Sequence, residues 1–227
     1  MQSMFYRYWR NVPKFATTRT SLRFASSSVV IRHPPSNAPR EVPTPLVFVS
    51  SQSWDKESTT GTTFLSSMLA EKGFTCIEND LCLPDESKSD SSLMMKYFES
   101  ETNLPKELVS TIRLSTIPFP PVVFARASAC LIAQTYISSH PASGMVLISP
   151  PASNEVLDTA KLPTPLEEFN YEPKFPIAVI ATPRHAQCLR ESNRICQSGN
   201  VDIITVQDLH DGQIFVEVEK WLDKLGI

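Results

Sequence analysis

Apolar residues along this chain fall into short unbroken runs, separated by stretches in which they recur every three or four positions. The runs are Pro45–Ser51 (PLVFVSS), Phe74–Leu81 (FTCIENDL), Pro120–Ala125 (PPVVFA), Gly144–Ser149 (GMVLIS), Phe175–Ala181 (FPIAVIA) and Val201–Val206 (VDIITV). Each has strand length, favours β-branched or aromatic residues and is bounded by Pro, Gly or polar residues, so each predicts a strand. Thr62–Lys72 places Phe64, Leu65, Met68 and Leu69 at helical spacing, and Gly73 follows as a C-terminal stop. Leu93–Phe98, Pro105–Leu114, Ala129–Ser139 and Ala186–Cys196 predict further helices, with Pro105 suited to a first turn. Gln213–Leu225 closes the chain as an amphipathic helix whose inner face is Ile214, Val218, Trp221, Leu222 and Leu225, with Phe215 at its margin. Pro150–Pro173 is irregular and proline-rich.

Strands that are apolar throughout and alternate with helices belong to a parallel sheet covered on both faces. Right-handed crossovers then give a doubly wound α/β domain with a mostly parallel, six-stranded sheet. It is expected over residues 45–227, after a Ser- and Pro-rich linker at 26–44.

Charge distinguishes the first forty residues from the rest. They hold Arg7, Arg10, Lys14, Arg19, Arg23, Arg32 and Arg40 and no acidic residue; the first carboxylate is Glu41. Aromatic residues are interleaved with them (Phe5, Tyr6, Tyr8, Trp9, Phe15). An Arg-rich, Ser/Thr-rich, acid-free start of this kind describes a mitochondrial targeting peptide. A cationic amphipathic segment is drawn toward the negative side of a membrane potential. Arg23-Phe24-Ala25-Ser26 puts Arg two residues before a small residue, so residues 1–25 are expected to be removed and the remainder to reside in the mitochondrial matrix. Cleavage there removes five of the 21 Lys and Arg and none of the 24 Asp and Glu, taking the formal charge from −3 to −8. That sign argues against a nucleic-acid partner. No apolar run reaches membrane-spanning length.

Other chemistries are disfavoured by absent motifs. No GxGxxG follows a strand and no GxxxxGK[ST] occurs, so neither a dinucleotide fold nor a P-loop is indicated. The five cysteines, Cys76, Cys82, Cys130, Cys188 and Cys196, contain no CxxC, which leaves neither a metal site nor a redox pair to expect. No cofactor is expected.

The segment Val122–Pro151 (VVFARASACLIAQTYISSHPASGMVLISPP) carries the strongest functional signal: strand, sharp turn, helix, strand. A strained strand-to-helix turn needs small residues two before and two after its tip, and Ala125 and Ala129 flank Ala127 in that way. With the helix LIAQTYISSHP and the strand GMVLISPP, this segment resembles the α/β-hydrolase superfamily, and the layout of residues 45–225 is similar to that fold. The two antiparallel strands that open the family's sheet are not evident before residue 45, so a trimmed version is expected.

The resemblance places the family's nucleophilic serine on Ala127, whose methyl cannot attack a carbonyl. Ser128 and Cys130 are displaced alternatives. Ser128 would have Arg126 two before it, too large for the turn, and Cys130 would have Ile132 two after it. The family's acid falls among Thr182, Pro183, Arg184 and His185, where there is no carboxylate, and Glu191 lies on the following helix. The family's histidine falls on His210, flanked by Asp208 and Asp211. The loop Ser50-Ser51-Gln52-Ser53-Trp54 stands where the family builds half of its oxyanion hole, without the usual His-Gly pair. Asp80 matches a strand-end Asp that is mostly structural in that family. The N–H of Ser128, next to the missing nucleophile, remains available to an anion at a helix start.

Loss of Ser or His alone removes most of a triad's rate enhancement. The resemblance therefore implies a catalytically inactive, hydrolase-like interaction or ligand-binding module, with a mitochondrial protein partner or a small acyl ligand. The alternative is a mitochondrial serine-type ester or thioester hydrolase that uses Ser128, Ser50 or Ser51 with His210 as base.

Overall fold

A computed structural model describes residues 21–24, 27–82, 108, 110–112, 118–157, 161–162 and 166–227. Its centre is an eight-stranded sheet. The strands are β1 (Ser21–Phe24), β2 (Ser27–Arg32), β3 (Val42–Ser50), β4 (Phe74–Asp80), β5 (Val122–Arg126), β6 (Gly144–Ile148), β7 (Ile177–Ala181) and β8 (Asp202–Thr205). They lie in the order β1-β2-β4-β3-β5-β6-β7-β8. From β4 to β8 every pairing is parallel, while β2 runs antiparallel to β1 and β4.

All six expected strands are present, within a few residues of their expected ends. The sheet has eight strands rather than six because β1 and β2 precede them, so the fold is not trimmed. The segment 26–44 contains β2 and the start of β3 as well as loop. The core strands were legible because burial on both faces makes them apolar throughout. β2 is an outer strand of alternating character, SSVVIR, in an Arg- and Ser-rich stretch.

The helices with described bounds are α1 (Thr62–Glu71), α2 (Cys130–Ser139), α3 (Pro183–Ser192), α4 (Arg194–Gln197) and α5 (Asp211–Leu225). Residues 108 and 110–112 are helical, inside the expected Pro105–Leu114; the helix expected at Leu93–Phe98 lies outside the described residues. The single helix expected over Ala186–Cys196 is two. Asn193 leaves helical geometry between them, and its side chain accepts the N–H of Cys196 as the N-cap of α4.

Alternate residues of the strands serve two cores. Val47, Val49, Ile77, Val123, Met145, Leu147 and Val179 pack with Leu131, Ile132 and Ala133 of α2 and with Ala186 and Leu189 of α3. Leu46, Phe48, Val122, Phe124, Val146 and Ile180 face the other way, against Leu65 and Leu69 of α1 and Ile214, Val218, Trp221 and Leu222 of α5. The inner face assigned to the closing helix is the buried one, with Leu225 only half-buried. Gly73 allows the turn from α1 into β4. Its φ is +106°, and a Cβ there would lie 1.9 Å from the carbonyl oxygen of Arg40.

The chain steps from β3 through α1 to β4 on one side, then returns to place β5 on the other side of β3. The carboxyl ends of β3 and β5 therefore meet at a topological switch point, where open α/β sheets hold their ligands.

Candidate functional site

β5 ends at Arg126, and Ala127 follows with φ +51°, a left-handed conformation that a residue with a Cβ rarely adopts. Ala125 and Ala129 are buried on either side, 3% and 0% exposed. This is the strained turn expected from the sequence, and the residue at its tip is an alanine. One helical turn later α2 begins.

The loop after β3 comes across to this turn. The side chain of Asp80, at the end of β4, accepts from the Ser50 hydroxyl (3.1 Å) and the Gln52 N–H (2.8 Å), which anchors the loop as the structural role expected for Asp80 requires. Asp55 then caps a short helical turn, accepting the Glu57 N–H at 3.2 Å, and its other oxygen accepts the N–H of Ser128 at 3.1 Å. The ammonium of Lys161 lies 2.9 Å from that same Asp55 oxygen and donates to the Ser128 hydroxyl at 3.0 Å. Asp55 and Ser128 are buried, 7% and 3% exposed. Lys161 belongs to the strap that follows β6, and the Trp54 indole N–H holds the strap through the Lys161 carbonyl (2.9 Å).

The amide beside the tip, the position that would steady an oxyanion, is thus occupied by the chain's own carboxylate. Burial pushes the Asp55 carboxyl up, but the hydrogen bonds from Ser128 and Lys161 together outweigh it and hold the group below its ordinary range. The Ser128 hydroxyl receives a hydrogen bond from an ammonium that also binds a carboxylate. Such an ammonium has no lone pair with which to take a proton, so this contact does not activate the serine.

The remaining expected residues have other partners or surroundings. His210 sits at the start of α5 with its side chain 83% exposed, and its Nε2 is 2.6 Å from Asp208 Oδ2. Ser128 hydrogen-bonds to Asp55 and Lys161, not to His210. After β7, the His185 Nε2 meets the Pro150 carbonyl at 2.8 Å, and Glu191 on α3 accepts from Gln187. Cys130 is fully buried, and burial pushes its thiol strongly up, which removes the thiolate that a nucleophile requires. Ser51 is fully buried with no partner for its hydroxyl, and Ser50 is committed to Asp80. Among the described residues no group of His, Cys, Asp and Glu is placed to hold a metal ion.

The structure adds three residues that the sequence did not single out for this site: Asp55, Lys161 and, as a cation, Arg126. Asp55 carried one local signal, an acidic N-cap ahead of a short helical stretch. Its bond to Ser128 spans 73 positions of sequence and left no local pattern.

Solved structures match this chain over most of its length. A carboxyl esterase from Bacillus coagulans, in complex with glycerol, matches at TM-score 0.57 and 13% identity, covering 92% of this chain and 99% of that one. An esterase from Thermogutta terrifontis matches at TM-score 0.57 and 14% identity, covering 88% of each chain. A soluble variant of monoglyceride lipase from Saccharomyces cerevisiae matches at TM-score 0.54 and 13% identity, covering 96% of this chain and 98% of that one. No protein-family model and no curated protein matches the sequence. The chain has the α/β-hydrolase fold, at identities that speak to fold and not to activity.

Proposed function

We propose that this protein is a catalytically inactive α/β-hydrolase-like protein of the mitochondrial matrix that works as a ligand-binding or interaction module. One observation carries the inactive reading: the tip of the nucleophile turn is Ala127, and the amide next to it is filled by Asp55. Acyl transfer needs an attacking atom and donors for the developing oxyanion. Here the first is a methyl and the second donates to a carboxylate. His210 pairs with Asp208 and makes no hydrogen bond to Ser128. The mitochondrial part rests on the basic, acid-free start of the chain.

The test is labelling of the purified full chain by a fluorophosphonate, which phosphonylates activated serines. No labelling above that of Ser128→Ala is expected. Labelling that Ser128→Ala abolishes and His210→Ala weakens would establish the competing serine-hydrolase reading.

A further inference from the structure

Two donors from different parts of the chain converge on a single carboxylate oxygen at the turn. Asp55 Oδ2 accepts the Ser128 N–H at 3.1 Å and lies 2.9 Å from Lys161 Nζ. Ser128 and Asp55 are 3% and 7% exposed, so these charge-assisted bonds run where water screens them little. The Lys161 side chain is 35% exposed, which gives the ammonium end of the pair access to solvent.

The loop that carries Asp55 is closed by other bonds. The Asp55 N–H donates to the Ser51 carbonyl at 2.8 Å, and the Asp55 carbonyl accepts the Ser58 N–H at 3.0 Å and the Ser58 hydroxyl at 2.6 Å. That hydroxyl in turn accepts the Ser51 N–H at 3.0 Å. The loop therefore keeps its shape through backbone and Ser58 contacts, and the carboxylate reaches across to the turn as a separable addition. Without it, the buried Ser128 N–H would lose its acceptor and Lys161 its counter-charge, both costly losses. An amide N–H and an ammonium aimed at one point form a seat for one carboxylate group.

A group tethered to its own site competes at an effective concentration of millimolar or more. A free carboxylate offered only the same two donors does not displace it. Entry belongs to a ligand that makes further contacts or to a state in which the loop has moved.

We infer that the Asp55 carboxylate is an autoinhibitory contact: it closes, from within the chain, a seat formed by the Ser128 N–H and Lys161 Nζ for the carboxylate of an external ligand. The inference rests on the ligand-binding half of the proposed function and does not depend on catalysis. Ester turnover decides whether the protein is inactive, and carboxylate binding decides whether the seat exists.

The experiment titrates sodium acetate into the full chain and into Asp55→Ala, with sodium chloride at equal ionic strength as the control. The Ser128 amide signal is followed by NMR and the melting temperature by calorimetry. In Asp55→Ala, acetate is expected to shift the Ser128 amide saturably and to raise the melting temperature more than chloride does. In the unsubstituted protein it should do neither. Adding Lys161→Met to Asp55→Ala should weaken acetate binding by about tenfold or more, as loss of a bond to a charged group does. Should Asp55→Ala lack a cooperative melt, its recovery in acetate reads the same event. A carboxylate that only braces the loop would leave Asp55→Ala less stable with no recovery by acetate, and that result overturns the seat. Equal effects of chloride overturn its preference for a carboxylate. A saturable Ser128 shift of equal affinity in the unsubstituted protein overturns the autoinhibition, whatever the folding of the variant.

Discussion

Ala127 shows how a fold can hold a strained backbone conformation at a residue whose side chain is a bare methyl. Its φ of +51° costs about 1–2 kcal/mol relative to ordinary backbone. Glycine adopts that conformation freely but gives up more chain entropy on folding, and the two effects oppose each other. Ala127→Gly is therefore expected to leave stability within about 1 kcal/mol, whereas Ala127→Val, β-branched at positive φ, should lose about 2 kcal/mol or more. Urea denaturation of both variants measures the difference. Asp55 makes the second residue-level case. Its carboxyl is held below the range it has in the unfolded chain. A group depressed on folding contributes stability that is complete above its unfolded pKa and is lost as pH falls through the folded one. For Asp55 that window lies below about pH 4, the ordinary range of an aspartate. Asp55→Asn should lower stability at pH 7 and flatten its loss between pH 4 and more acid solution, as followed by thermal melts across that range.

At the scale of elements, the sequence made the central strands and most helices legible because their local patterns and their burial agree. β3, β5, β6 and β7 are apolar on both faces, and α5 carries a clear inner stripe. The outer strands carry no such signal: β2 is half polar and β1 is four residues long. The Asp55–Ser128–Lys161 cluster was hidden for another reason. It joins a loop, a turn and a strap that are close only after the sheet has formed, so no spacing rule could reveal it. The turn itself was legible, because its requirement for small neighbours is local. Among the sheet pairings, β1 contributes only to β2, across Ser21↔Val30 to Phe24↔Ser27. A chain starting at residue 26 therefore lacks β1 but keeps β2, which is held by its five-residue pairing with β4. That shortened chain is expected to fold cooperatively with native circular dichroism, and loss of cooperative melting would show that β1 is integral.

On the scale of the whole molecule, charge divides the chain into a basic start and an acidic remainder. Residues 1–25 carry five Lys or Arg and no acid, while the remainder carries a formal charge of −8. The proposed matrix location predicts that the full chain is imported by energised mitochondria and shortened by about 25 residues, an expectation set by the composition of such leaders. Removal of residues 1–25 should abolish import, with protease protection as the measure. Within the domain, the sheet still aims its carboxyl edge at a switch point, but the atoms brought there are a methyl, a self-occupied amide and a buried guanidinium.

The most direct measurement is steady-state hydrolysis of short-chain p-nitrophenyl esters and acyl-thioesters by the purified protein, side by side with Ser128→Ala. The account predicts that both stay at the uncatalysed rate. Turnover by the unsubstituted protein that disappears when a single hydroxyl is removed would contradict it.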